Sequence, residues 1–264
     1  IAARYSINSL IFARDWILIK NFFLTFTMNI ALIGYGKMGK SIEKIAANRG
    51  HHISSIVEFD NQEKLSKIAT HNTDVAIEFS NPSSAFDNVA ACLRQKVPVI
   101  SGTTGWLDQL PDIEALCLAQ KGTFLTASNF SLGVNIFFKL NEWLTQIMGQ
   151  YPDYKINIDE THHLQKLDKP SGTAITLAEG IITSHPHYDR WALDTSKEND
   201  LKIASFRQAE VAGKHVVTYK SAIDNLQITH EANSREGFAL GAVLVAEWIQ
   251  DKKGIFTMND FIKI

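Results

Sequence analysis

A doubly wound α/β fold of Rossmann type, followed by a smaller α+β unit built on a mixed sheet, is what this 264-residue sequence predicts. Three observations predict it. Between residues 29 and 126 short β-rich runs alternate with amphipathic helical runs, and such alternation requires parallel strands joined by right-handed crossovers. The first run leads into a glycine-rich turn, Gly34-Tyr35-Gly36-Lys37-Met38-Gly39, that opens a helix. Beyond residue 129 the alternation gives way to helices and to β-rich runs separated by turn residues.

In order, strands are expected over 29–33, 53–57, 75–79, 97–100 and 123–126. The helices between them, 37–48, 82–95 and 106–120, carry apolar residues at 3.6-like spacing and are bounded by Gly, Pro, Asn or Ser. The second half predicts a long helix over 131–148, an alternating strand over 155–161, a helix over 171–183 and a polar surface loop over 188–200. Three β-rich runs within 204–231 have turn signals at Ala212-Gly213-Lys214 and Asp224-Asn225, read as a meander. A helix over 235–250 is expected to close the chain.

Residues 9–27 are apolar, but Arg14, Asp15, Lys20 and Asn21 interrupt them. No run approaches the roughly 20 apolar residues a spanning helix needs. The chain begins with Ile, and Met28 directly precedes a strong strand, so residues 1–27 are expected to be a non-native or poorly ordered extension with the native start at Met28. Net charge is −2, with no basic block, which leaves out the footprint of a nucleic-acid or anionic-membrane binder and favours a small-molecule partner. Cys92 and Cys117 lie far apart with no second thiol near either; they read as core residues of a cytoplasmic protein, without a disulfide framework or zinc site.

In the glycine turn, the first Gly makes the tight bend, the second lets backbone approach a pyrophosphate and the third lets helix pack on strand, while the helix N-terminus offers free N–H groups. Glu58 ends the second strand about 20 residues further on, where an acceptor for ribose hydroxyls belongs. Its carboxylate would repel a 2′-phosphate, and Phe59 rather than Arg follows; NADH is therefore favoured over NADPH, although Lys37 and Lys40 are near enough in sequence to help a phosphate. Two further segments end strands where ligands collect in open α/β sheets, Glu78-Phe79-Ser80-Asn81-Pro82 and Ser101-Gly102-Thr103-Thr104-Gly105. Each also reads as a simple strand-to-helix turn.

The richest stretch runs from Glu160 to Ala174, with His162, His163, Lys166, Asp168 and Pro170-Ser171-Gly172-Thr173. Imidazole is the natural side chain for moving a proton near neutral pH. Adjacent histidines on an extended segment point to opposite sides, so no shared metal is expected. The Pro-Ser-Gly-Thr segment starts a helix whose N–H groups, with the Thr173 hydroxyl, form an anion site suited to a carboxylate. The competing reading is a capped helix behind a polar loop. His51-His52 has neither a lysine nor an anion cradle behind it and reads as loop surface.

Taken together, E-x-H-H-x-x-K-x-D-x-P-S-G-T-A resembles the signature of the 4-hydroxy-tetrahydrodipicolinate reductase (dihydrodipicolinate reductase) family. So do Gly34–Gly39, Gly102-Thr103-Thr104, Ser128-Asn129-Phe130-Ser131 with Gly133-Val134-Asn135, and His230-Glu231-Ala232 with Ser234-Arg235, in the same order. The resemblance implies NAD(P)H-dependent reduction of a small cyclic dicarboxylate in diaminopimelate and lysine biosynthesis. By position, His162 would be the catalytic acid/base and Lys166 the proton donor or electrostatic partner. His163, Gly172, Thr173 and Arg235 would hold substrate. Gly34, Tyr35, Gly36, Lys37, Met38, Gly39 and Glu58 would take the cofactor's phosphates and ribose, and Gly102, Thr103, Thr104, Ser128, Asn129, Phe130 and Ser131 would line its nicotinamide end. It further implies a dinucleotide domain over 28–128 and 236–264, a substrate and oligomerisation domain over 129–235, and a homotetramer. The short connection over 60–73, and Ala209 where the family often has Gly, depart from the pattern. Other nicotinamide dehydrogenases and a non-catalytic dinucleotide sensor are the competing classes; the anion cradle after His-His-x-x-Lys argues against the first, and the proton-donor cluster would be superfluous in the second.

Overall fold

The computed structural model describes residues 27–69, 72–194, 197–234 and 236–263. The expected extension over 1–27, all but Thr27, lies outside the described residues. Strands β1 (Asn29–Ile33), β2 (His52–Val57), β3 (Val75–Glu78), β4 (Val99–Ser101) and β5 (Thr123–Thr126) alternate with helices α1 (Lys37–Asn48), α2 (Pro82–Arg94) and α3 (Leu110–Gln120). Short 3₁₀ segments occupy Phe59–Lys67 and Leu107–Gln109. A second unit follows: α4 (Leu132–Met148), β6 (Lys155–His162), α5 (Gly172–Ser184), β7 (Arg190–Leu193), β8 (Asp200–Arg207), β9 (Gly213–Lys220) and β10 (Asn225–Ala232). Helix α6 (Glu236–Ile249), strand β11 (Gly254–Phe256) and helix α7 (Met258–Phe261) then return to the first sheet.

That sheet is parallel throughout, in the order β11-β5-β4-β3-β1-β2. Because successive side chains point to opposite faces, β1 buries Ile30 and Leu32 beneath α1 and α6 and Ala31 and Ile33 beneath α2. Both faces of its inner strands are covered, which is why β1 and β3 read as largely apolar runs. The second sheet is mixed, in the order β10-β9-β6-β8-β7. One of its faces packs Ile156, Ile158, Ile203 and Val217 against Leu177 and Ile181 of α5 and Phe137 of α4.

Four expectations need correction. The segment 188–200 is not all loop: Arg190–Leu193 pairs in parallel with β8 at the sheet edge, a strand of four residues, too short to show a period in the pattern. The runs over 204–231 are not a meander. Strands β9 and β10 form an antiparallel hairpin, but β6 lies between β8 and β9, parallel to the first and antiparallel to the second. Turn residues announce that the chain reverses; they carry no information about a strand already lying between. The chain also does not close on α6, since β11 pairs with β5. His51 is buried rather than surface: its Nδ1 accepts the Met28 N–H at 3.3 Å and its Nε2 lies 2.7 Å from Glu247, tying the start of β1 to α6. His52 is exposed.

Candidate functional site

At the carboxyl edge of the parallel sheet the glycine turn shapes a cleft of about 250 Å³. Gly34 has φ +91°, and a Cβ there would lie 2.1 Å from the Phe79 carbonyl oxygen; one at Gly39 would lie 2.3 Å from that of Gly34. At Gly36 a Cβ would meet nothing within 4 Å, so the space over the α1 N-terminus is open. No side chain caps α1, which leaves the first N–H groups, from Lys37 onward, for a ligand. Glu58, Phe59, Ser80 and Asn81 line the rest of the cleft. Unspent N–H donors, an open backbone approach and an acidic lip fit a dinucleotide. Tyr35 turns its hydroxyl onto Glu43, and Met38 packs against the core.

The neighbouring strand ends close in on this cleft. A Cβ on Gly102 would lie 2.2 Å from the Phe79 ring, so only glycine lets that ring settle there. Thr103 is buried and accepts the Ser80 N–H at 2.9 Å, while Thr104 is exposed. Phe130 is buried with its ring centroid 5.6 Å from that of Phe79. Ser128 is exposed; Asn129 accepts the Ser131 N–H at 2.8 Å, and Ser131 caps α4 by accepting from Val134 N.

The second sheet assembles the other half by register. His230 faces His215, His215 faces Glu160, and Glu160 faces Ser205, in one row across β10, β9, β6 and β8. His162, two residues beyond Glu160, lies on the same face opposite Arg207. Glu160 is fully buried. It accepts the Ser171 N–H at 3.2 Å, a short hydrogen bond from the Ser205 hydroxyl, and Arg207 Nη1 at 3.4 Å; His162 Nδ1 lies 3.1 Å away. Burial alone would push its carboxyl up, but the contacts from His162, Ser171 and Ser205 outweigh burial and hold it well below the usual carboxylate range. Arg207 also donates to the carbonyls of Lys166 at 3.2 Å and Asp168 at 2.6 Å, fixing the loop that carries Lys166. The Lys166 ammonium lies 2.9 Å from Asp168, and this contact overcomes burial to lower the Asp168 carboxyl.

Ser171 is both partner and cap: its N–H goes to Glu160 and its hydroxyl accepts Ala174 N at 3.2 Å, opening α5. Gly172 stands exposed at that N-terminus with no atom within 4 Å of where a Cβ would be, and Thr173 is half-buried beside it. His163 is half-buried on the neighbouring loop. Arg235 lies outside the described residues. Residue-type reasoning missed Glu160, Ser205, Arg207 and His215 as members of this cluster. The period of two in β6 and β9 would place Glu160 with His162, but only cross-strand register brings in the other three.

The first turn of α4 joins the halves. Its neighbour Phe130 packs on Phe79 of the first sheet, and a Cβ on Gly133 would come within 3.1 Å of His230 Nε2 on the second. Glu160, His162 and His215 offer ligand atoms within 4.8 Å of one another, but the Glu160 carboxylate is already engaged by a guanidinium and two further hydrogen-bond donors, so a divalent cation there would face Arg207.

His215 has its Nε2 3.1 Å from the Ser171 hydroxyl and is pushed down to about 3, chiefly by burial and then by His162. Its folded value lies below its unfolded one, about 6.5, so the unfolded chain binds the extra proton and stability falls as pH drops from about 6.5 toward 3. Urea unfolding of His215→Gln, followed from pH 7 to 4, is expected to show a shallower loss of stability than the parent.

Residues 28–130 match the family model described as dihydrodipicolinate reductase, N-terminus, and residues 133–262 match its C-terminus counterpart. A relative from Christiangramia forsetii, a 4-hydroxy-tetrahydrodipicolinate reductase, is 49% identical over 235 residues, covering 89% of this chain and 98% of its own length. Another of that name from Buchnera aphidicola subsp. Schizaphis graminum is 37% identical over 207 residues, covering 74% of each chain. The dipicolinate-bound dihydrodipicolinate reductase from Paenisporosarcina sp. TG-14 superposes with a TM-score of 0.73 at 22% identity, covering 90% of this chain and 100% of its own, and shows the same fold. With the glycine-turn cleft and the His-His-x-x-Lys segment each falling within the matched regions, the chain belongs to the dihydrodipicolinate reductase family.

Proposed function

We infer that this protein reduces 4-hydroxy-tetrahydrodipicolinate to tetrahydrodipicolinate with a reduced nicotinamide dinucleotide, the 4-hydroxyl leaving as water, a step of diaminopimelate and lysine biosynthesis. The observation that carries this reading is the sharing of Glu160 between His162 and the N-terminus of α5: one buried carboxylate orients a proton-bearing imidazole and the start of an anion-binding helix together. The bound cofactor supplies the hydride. The chain's own groups do the rest. Gly172, Thr173 and His163, with Arg235, hold the substrate's carboxylates. Lys166 and His162 supply the proton to the carbon left electron-rich by reduction, and the Lys166 charge stabilises that electron density as it develops. Gly34 to Gly39 take the phosphates, Glu58 the ribose, and Gly102 to Thr104 with Ser128 to Ser131 the nicotinamide end.

On this reading residues 28–128 and 236–264 serve the cofactor and 129–235 the substrate and assembly into a homotetramer. Phe206, 53% exposed on the sheet face away from α4 and α5, supports an assembly surface there. No helix among the described residues is long and apolar enough to cross a membrane, and the buried, unpaired Cys92 and Cys117 fit a cytoplasmic site of action. NADH is the preferred cofactor: Glu58 is exposed at the cleft lip, and Phe59, 93% exposed beside it, offers no cation for a 2′-phosphate. Phe59→Arg is expected to raise kcat/KM for NADPH relative to NADH by about tenfold, one new charge-assisted hydrogen bond's worth; an unchanged ratio would contradict this placement.

The reading is tested by giving purified protein NADH with the freshly made condensation product of pyruvate and aspartate semialdehyde and following absorbance of the reduced cofactor. Substrate-dependent loss is expected, and a flat trace with active control enzyme would refute it.

A further inference from the structure

Glu78 closes β3 and is completely buried. Its carboxylate receives the Ser80 N–H at 3.0 Å, the Ser101 hydroxyl at 2.6 Å, the Thr103 hydroxyl at 2.9 Å and, in a short contact, the Ser80 hydroxyl. The neighbours leave two of these protons free to point at the carboxylate. Thr103 Oγ1 already accepts from Ser80 N at 2.9 Å, and Ser80 Oγ accepts from Asn88 Nδ2 at 3.1 Å; each hydroxyl therefore has its proton to give to Glu78. A carboxylate can accept all four of these contacts at once. Among the described residues it makes no ion pair.

A buried charge without a counter-ion is expensive, and the pairing of β3 with β1 and β4 does not require one. What sets the position apart is its neighbours. Ser80 lines the cleft, and Thr103 belongs to the Gly102-Thr103-Thr104 turn at the same sheet edge. When a nicotinamide gives up hydride, two electrons and one hydrogen nucleus pass from ring C4 to the substrate carbon, and the ring changes from neutral to a charge of +1. A fixed negative charge in a low-dielectric interior favours the charged product.

We propose that Glu78 is an electrostatic partner of the nicotinamide, an uncompensated buried carboxylate that stabilises the cationic oxidised ring over the neutral reduced one. This rests on the placement of the nicotinamide end at Gly102 to Thr104. Mere bracing of the two loops would weaken both redox forms alike, so the telling quantity is the ratio of dissociation constants, Kd for NAD⁺ over Kd for NADH. It is read by calorimetric or fluorescence titration of the whole protein, without turnover. Glu78→Gln, nearly the same shape without the charge, is expected to raise the ratio about tenfold. Glu78→Asp, which keeps the charge, is expected to hold it within about twofold of the parent. Equal weakening of both forms in Glu78→Gln would overturn the assignment alone, whereas a parent protein that binds neither form would overturn the cofactor reading and this assignment with it. Should Glu78→Gln fail to fold by circular dichroism, Ser101→Ala leaves the charge with one donor fewer and must lower the ratio; an unchanged or raised ratio would overturn the proposal.

Discussion

His162→Ala is expected to lower kcat by about 10²–10⁴-fold, the usual worth of a positioned acid/base group, while leaving the Kd for NADH within about twofold. The split follows from the layout. His162 lies on the second sheet with Glu160 and Arg207, and its ion-pair and ring partners among the described residues, Glu160 and His215, belong to that sheet as well. Lys166→Ala is expected to cost a similar factor in kcat and, in addition, to raise KM for the dicarboxylate. Its ammonium is 2.9 Å from Asp168, so removing it leaves a carboxylate unpaired close to where a dianion must bind. Adding Asp168→Asn to Lys166→Ala should therefore restore KM but not kcat. Steady-state kinetics beside NADH titrations check all three variants; a loss of turnover matched by an equal loss of cofactor affinity would point to collapse of the fold instead.

The second large effect belongs to Glu160. Glu160→Ala leaves Arg207 without its buried carboxylate and the Ser171 N–H without an acceptor, and breaking such a pair from one side costs about 3–5 kcal/mol. Chemical denaturation at pH 7 measures this. Because the carboxyl is held below its unfolded value, about 4.3, its contribution is complete above about pH 5 and is lost as pH falls toward the folded value. In Glu160→Gln the stability at neutral pH should drop while the acid limb below pH 5 becomes flatter than in the parent. Turnover should fall as well, since His162 and the start of α5 lose the group that aligns them.

Most of the parallel sheet was legible in the sequence because its information is local. Helix α1 runs from Lys37 to Asn48 and β5 from Thr123 to Thr126 as the periodicity predicts, since a buried parallel strand and an amphipathic helix each write their own pattern. The second sheet was less legible because its order depends on which strand slips between two others. Turn residues around Gly213 mark a reversal correctly, yet β6 occupies the place beside β9 that the meander gave to β8. Strands β7 and β11 are short edges, for which pairing, not pattern, supplies the stability. At the site, His162, Lys166 and the Ser171 cap stand close in sequence and could be grouped by chemistry alone. Ser205, Arg207 and His215 could not, because cross-strand register brings them to Glu160 from elsewhere in the chain. His51 misled for the complementary reason: its partner, Glu247, is on the far side of the sequence.

A crystal structure of this protein with reduced cofactor and dipicolinate shows directly whether the two sheets build one site. That arrangement puts one carboxylate on the N–H groups and hydroxyl at Gly172 and Thr173, the ring flanked by Lys166 and His162, and nicotinamide C4 about 3–3.5 Å from the ring carbon that is reduced. A dicarboxylate bound away from α5, or a nicotinamide turned from the second sheet, would contradict it.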